Sequence, residues 1–473
     1  MTRRLYWLYL PLLLCSAAVV TWIFPNDLML LVSGLVGSFV ALYSLWGIIG
    51  RRGPVRFSHL LCISHLGGYS VGVVNSWLTL PRGDMTLAAA FGRDPEAIST
   101  VMAAILFCTA VLYSVGELWE PPVFASDFRL YLDNRAIVFV ALGTGLVITG
   151  YFTGQLGLNG IAHFGGHISV LGGVLGFIVP PLFAITCFCF THWRKGFIKW
   201  FFSLMLAVQF VMLIPTGRRS MLYCVVLGFI AVRFWEKKRW AFTRRVIYTS
   251  IAIAALVTGS TVFYYIRIAS WQRHSAISIV DKASAAMALY ESGKGGEVND
   301  ALRTNLEKRT FVIGYISDLL DASTRMKPAL GENAFHSLQL ATPSALWENK
   351  DQFLYGEEQI ADKVFGFNYN DEANSLYSAG LVDFGIWGMI TYPILMAALY
   401  WLTAYTLRKL CPHDVSTIAI LYLIFGALQT EWELSTHFLA IRGALLFAAG
   451  LWIIFKVPAF GFAHRRQEIP EYS

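Results

Sequence analysis

The stretch Pro215-Thr216-Gly217-Arg218-Arg219-Ser220 places two adjacent arginines where a turn opens an apolar run. A helix start offers unpaired N–H groups and a partial positive charge, and guanidinium forks grip phosphate oxygens. These residues therefore read as an anion site, with snorkelling to lipid headgroups as the alternative. A second group is Thr430-Glu431-Trp432-Glu433-Leu434-Ser435-Thr436-His437, followed by Arg442 within apolar sequence. Charges inside such runs are costly and usually line a polar cavity. On one continuous helix Glu431 and Arg442 would lie about 20° apart in phase and roughly 16 Å apart along the axis. They would then form one polar stripe, or an ion pair that locks helices.

Three further stretches lie between these groups. Lys308-Arg309-Thr310-Phe311 opens an amphipathic run. His336-Ser337 leads to Pro343-Ser344-Ala345-Leu346-Trp347-Glu348-Asn349-Lys350, and Asp371-Glu372-Ala373-Asn374-Ser375 precedes Gly380. By composition they are a charged face, a turn and a helix entry. His336 has the chemistry of a general base and equally of a satisfied surface residue. His59, His65, His163 and His167 read as structural.

The elements that must position these residues follow from composition. The chain has 473 residues, 56% hydrophobic and 14% charged, against about 45–50% and about 25% in soluble domains. Such a surplus calls for a lipid solvent, and 15 Trp and 21 Tyr suit two interfacial belts. The net charge of +7 sits mainly in short loops between apolar runs. That pattern points to topology and anionic lipid; no basic stripe interleaves with aromatics, so nucleic acid is discounted. Of the seven cysteines, none lies in the polar segment 267–380, which excludes a disulfide framework there. Cys187 and Cys189 point roughly 200° apart on a helix and do not share a metal.

Twelve apolar windows are long enough to span: 5–24, 27–49, 57–80, 97–118, 134–153, 168–190, 199–215, 220–235, 246–266, 381–407, 415–430 and 438–456. The first follows Met1-Thr2-Arg3-Arg4 without a small-residue cleavage site and reads as a retained span. With the N-terminus in the cytoplasm, one inside loop holds Arg233, Lys237, Lys238, Arg239, Arg244 and Arg245, while the short outside loops hold Arg82, Arg93, Arg218 and Arg219. This bias fits the positive-inside rule. The expected fold is an all-α polytopic membrane bundle of about 12 transmembrane helices. Residues 1–266 carry about nine spans, 267–380 form a mostly helical extracytoplasmic cap over the bundle, and 381–473 carry about three spans and a cytoplasmic tail. No Walker loop, HExxH, GxSxG or nucleotide-sugar DxD motif is placed where it could act.

The order of these pieces resembles the Wzy-type oligosaccharide repeat-unit polymerases of bacterial surface polysaccharide synthesis. Gly217-Arg218-Arg219 opens a mid-chain span, and Arg309 begins an amphipathic run in the long outer loop. Pro343, Leu346, Trp347 and Lys350 follow as Pro-x-x-Leu-Trp-x-x-Lys. A small-residue re-entry runs from Asn374-Ser375 through Gly385 and Gly388, with Glu431 and Arg442 near the last span. The likeness covers mainly residues 210–445. The chain departs from the pattern at Ser344, where the family often has Arg, and at Asp351, where it usually has Pro.

The resemblance implies glycosyl transfer on the periplasmic face of the bacterial inner membrane, with both termini cytoplasmic. A growing glycan on polyprenyl diphosphate would be the donor and a lipid-linked repeat unit the acceptor. Leaving-group charge is the hard part, and positioned arginines stabilise it without a cofactor or metal. On this reading Arg218, Arg219 and Arg442 clamp the diphosphate, Arg309 and Lys350 assist, and Glu431, Glu372, Asp371 or His336 accepts the hydroxyl proton. Membrane lipids, a chain-length regulator and a flippase are the implied partners. A related glycan ligase shares the donor chemistry. A transporter or flippase is the rival from another class; the sequence shows no inverted repeat for it.

Overall fold

The structure is a computed structural model. It describes residues 2–49, 54–79, 86–87, 93–123, 134–157, 160–161, 163–164, 167–168, 170–192, 196–235, 241–272, 279–293, 296, 311–343, 346, 356–367 and 374–456. Among them the chain is overwhelmingly helical. The first helices are α1 (Thr2–Ile23), α2 (Asp27–Ile49), α3 (Phe57–Thr79), α4 (Pro95–Trp119) and α5 (Asn134–Phe152). Two short antiparallel ladders follow, β1 (Leu156–Gly157) with β2 (Gly160–Ile161) and β3 (His163–Phe164) with β4 (His167–Ile168). The expected structural His163 and His167 lie on this second hairpin.

The chain continues through α6 (Val170–His192), α7 (Phe197–Leu213), a 3-10 turn (Ile214–Thr216), α8 (Arg218–Trp235) and α9 (Phe242–Gln272). Among the described residues of 267–380 lie α10 (Ile279–Glu291), α11 (Phe311–Arg325), α12 (Glu332–Ala341) and α13 (Glu357–Phe365). The C-terminal part holds α14 (Leu376–Phe384), α15 (Ile386–Leu410), α16 (His413–Ala427) and α17 (Leu434–Lys456).

Among the described residues, seven helices are long and apolar enough to cross a membrane, by length and composition. The windows of α3, α4 and α6 are each 67% buried, which makes them central. Those of Phe197–Thr216 and Phe242–Ala269 are 22% and 11% buried, which puts them at the rim. Large apolar side chains stand exposed around the bundle, among them Trp22, Leu42, Leu142, Trp200 and Val257. A surface of that kind is stable in lipid and a liability in water. Four of the expected windows correspond to the shorter apolar helices Leu8–Ile23, Ala136–Phe152, His413–Ala427 and Leu434–Gly450. The window 220–235 falls on α8, which belongs to neither group and carries Arg218, Arg219 and Arg233.

Two expected elements are differently cut. The window 381–407 straddles a turn at Gly385, with α14 on one side and α15 on the other. These two helices pack against each other so closely that a Cβ on Gly380 would overlap the backbone of Gly388. The absence of side chains at both positions is what allows the hairpin to close. The stretch joining Glu431 to Arg442 is likewise not one helix. α16 ends at Ala427 and α17 begins at Leu434, where the Glu433 carbonyl accepts from the N–H groups of Thr436 and His437.

The helices of 267–380 do not lie clear of the bundle. Tyr69, midway along α3, bonds Ser375 at 2.7 Å, and Thr109 in α4 bonds Tyr377 at 2.7 Å. Arg442 in α17 donates to the Ala341 carbonyl at the C-terminal end of α12. The far end of α12 is fixed by Asp383, whose carboxylate accepts from the N–H groups of Asn333 and Ala334 at 2.9 Å each and from the Tyr392 hydroxyl. A carboxylate on a helix N-terminus satisfies orphan donors and opposes the dipole. α12 and α14 are thus packed directly against the long helices.

Candidate functional site

Gly217 has φ +100°, a conformation that side chains disfavour, and the helix α8 starts directly after it. Arg218 and Arg219 thus occupy the first turn, as the sequence predicts. Arg219 forms an ion pair with Glu431. Arg218 lays its guanidinium over the Tyr264 ring of α9, 5.5 Å from the centroid, an attraction between cation and ring quadrupole.

Glu431 sits in the loop 428–433, which is held from three sides. Thr430 Oγ1 donates to the Ser64 carbonyl at 2.8 Å and lies 3.1 Å from the Tyr223 hydroxyl. A Cβ on Gly68 would run into the Thr430 methyl group, so the bare backbone of α3 is what lets the loop sit against it. Arg442 follows two turns into α17. Its Nη1 reaches Ala341 at 2.9 Å, while its Nε is buried with no hydrogen-bond partner. The structure thus brings Arg219 to Glu431 and sets Arg442 below the same loop. The single stripe expected for Glu431 and Arg442 gives way to a loop carboxylate above a helix arginine.

His336 is engaged within the cap helices. Its Nε2 lies 3.6 Å from Glu332 Oε1, and Lys363 Nζ donates to the same oxygen at 2.5 Å. The hydrogen bond from Lys363 holds the Glu332 carboxyl below the usual carboxylate range. Arg309, Lys350, Asp371 and Glu372 lie outside the described residues.

A group of acids that sequence reasoning passed over stands beside this loop. Asn374 donates through Nδ2 to Glu358 Oε1 at 3.3 Å and to Glu433 Oε1 at 3.4 Å. Ser435 donates to the other Glu433 oxygen at 3.0 Å. Glu357 is 2% exposed, with the Tyr315 hydroxyl 3.5 Å from its Oε1 and with Oε2 buried and unpartnered. Burial pushes its carboxyl well above the usual range, and the charges of Glu433, Glu358 and Asp383 push it the same way. The Asn374 Oδ1 is also buried without a partner.

A signal for Glu357 was present in the chain. On α13 it falls on the same face as Ile360, Ala361 and Phe365, all buried, so this acid interrupts an apolar stripe. The signal for Glu433 is weaker: it sits two residues beyond Glu431 with no pattern to set it apart.

Chemically the site has two sides. Guanidinium groups from α8 and α17 offer donors and positive charge, suited to an anion. Carboxylates and an amide oxygen from α13, from Asn374 two residues before α14 and from the loop before α17 offer acceptors, suited to hydroxyl groups. Among the described residues no three His, Cys, Asp or Glu side chains are placed to hold a metal ion. No family model, curated protein or solved structure matches the chain.

Proposed function

We propose that this chain is a multi-pass enzyme of the bacterial inner membrane that polymerises lipid-diphosphate-linked oligosaccharide repeat units on the periplasmic face. In this reading α8 and the four shorter apolar helices join the seven longer ones to give twelve spans, both termini are cytoplasmic, and 267–380 is extracytoplasmic. The observation that carries it is the ion pair between Arg219, on the first turn of α8, and Glu431, in the loop before α17; Arg218 is its neighbour on that turn, and Arg442, two turns into α17, is proposed to join them. Guanidinium groups held in a low-dielectric site stabilise a departing diphosphate without reorganising. The polyprenyl tail enters between helices, and the energy of the transfer resides in the bond to diphosphate. Arg309 and Lys350 are proposed to assist; Asp371, Glu372, His336 and Glu431 are the sequence's candidates for the base, to which the structure adds Glu433. A chain-length regulator and a flippase are proposed partners.

The test is elongation by purified protein in liposomes given one lipid-diphosphate-linked repeat unit. A ladder of longer glycans supports the reading. Labelling of a cysteine placed at position 218 tests the topology, and access from the cytoplasmic side alone would sink it.

One observation favours a second reading. The inner ends of α12 and α14 meet long helices midway along their length, and discontinuous helices meeting near the midplane are a mark of secondary transporters. A flippase of lipid-linked glycan would move the substrate across the membrane and leave its length unchanged, which the same liposomes report.

A further inference from the structure

The acids at this site differ in what they can do. Glu431 is committed to Arg219. Glu357 and Asn374 each bury an oxygen that lacks a partner, and a buried acceptor left unpaired costs roughly 1–3 kcal/mol. Such oxygens are matched by a ligand that brings hydrogen-bond donors. The Glu358 and Glu433 carboxylates beside them repel phosphate, so the diphosphate belongs on the arginine side. A sugar fits the acid side, because each hydroxyl donates to one acceptor, and carboxylates with amides are suited to hold several at once.

We infer that Glu357, Glu358, Asn374 and Glu433 form the acceptor-sugar subsite of this site, and that Glu433 takes the proton of the attacking hydroxyl. The inference rests on the glycosyl-transfer reading above and adds the acceptor's place to it. Glu433 is singled out by position. It is carried two residues from Glu431, about 6–7 Å along the backbone, on the loop that holds Arg219. A hydroxyl on Glu433 therefore lies beside a diphosphate on the arginines. Glu433 is also only half-buried, and Asn374 and Ser435 fix the direction of its two oxygens.

In the step itself, the acceptor hydroxyl oxygen bonds to the donor's anomeric carbon. The bond from that carbon to the diphosphate oxygen breaks, and its electron pair leaves with the polyprenyl diphosphate. The hydroxyl proton passes to the Glu433 carboxylate. Glu357 and Asn374 orient neighbouring hydroxyls of the same sugar.

The experiment uses full-length protein in lipid nanodiscs with two probes, undecaprenyl diphosphate and lipid-linked repeat units extracted from the producing cells. Glu433→Gln keeps the side chain's shape. It is expected to lower kcat by about 100-fold and to leave the Kd for undecaprenyl diphosphate unchanged. Asn374→Ala and Glu358→Gln are expected to raise the acceptor KM by about tenfold, the loss of one or two hydrogen bonds. Wild-type elongation by Glu433→Gln overturns the inference, as does a parallel loss of undecaprenyl diphosphate binding. If the wild-type protein elongates nothing, the glycosyl-transfer reading fails separately. The subsite then stands or falls on thermal stabilisation by neutral oligosaccharides such as maltotriose. Stabilisation that Asn374→Ala abolishes supports it, and no stabilisation overturns it.

Discussion

Arg219, on the first turn of α8, pairs with Glu431, in the loop that leads into α17. The pair ties a mid-chain helix to the last helix, and both side chains are partly shielded, at 29% and 19% exposed. Its cost of disruption falls between that of surface and buried pairs. Arg219→Ala is expected to destabilise the protein by about 1–3 kcal/mol, read as a lower thermal midpoint in detergent. The swapped pair Arg219→Glu with Glu431→Arg should recover much of that stability and none of the polymerisation. Recovery of both would reduce the pair to a structural lock.

Arg218 and Arg442 are the other two arginines proposed to hold the diphosphate. Arg218→Ala and Arg442→Ala, each in protein that inserts normally, are expected to lower chain polymerisation in cells by about 100-fold or more. Polymer of wild-type extent in either variant would remove the clamp.

The hairpin of α14 and α15 depends on two bare positions. Gly380→Ala places a methyl group into the Gly388 backbone, where no side chain can rotate aside. A loss of about 1–3 kcal/mol is expected, seen as a lowered unfolding temperature. Gly67→Ala is the matched control, because a Cβ there meets nothing within 4 Å and alanine favours the helix. Equal effects at both sites would refute the close-packing account.

Two shifted carboxyls outside the spans, Glu357 and Glu332, predict opposite pH responses. The folded state holds the Glu357 proton more tightly than the unfolded chain does. Its contribution is therefore complete below the ordinary carboxylate range, near about 4.3, and is lost as pH rises towards the raised value. Glu357→Gln should flatten the fall in thermal midpoint between acidic and neutral pH. Glu332 is lowered by Lys363, so its contribution is present at neutral pH and lost as pH falls through its depressed value. Lys363→Met should remove that acid-side loss. A Glu357→Gln protein with the wild-type slope would contradict the buried-acid assignment.

The long helices were legible because a span must be apolar throughout, and runs such as 27–49 and 97–118 admit few other readings. The turn before Arg218 was legible for a local reason: Pro215 and Gly217 punctuate the chain next to two charges. The breaks at Gly385 and at 428–433 were hidden, since both sides of each break are apolar and hydropathy does not register a turn inside a buried hairpin. The packing of α12 and α14 against long helices was hidden too. It depends on Tyr69, Thr109 and Arg442, which are 306, 268 and 101 positions away from their partners. Glu357 was readable in principle as an acid on an apolar face. The contact that gives it meaning, with Tyr315 and the neighbourhood of Glu433, is set by tertiary packing alone.

The bond between Tyr69 and Ser375 joins residues 306 positions apart, and this has a bearing on biogenesis. A ribosome delivers α3 and α4 long before α14 emerges, so the seat waits empty while the intervening helices insert. Fragments 1–266 and 267–473 made as separate chains should consequently regain activity only when produced together in one membrane, the earlier fragment acting as the mould for the later one.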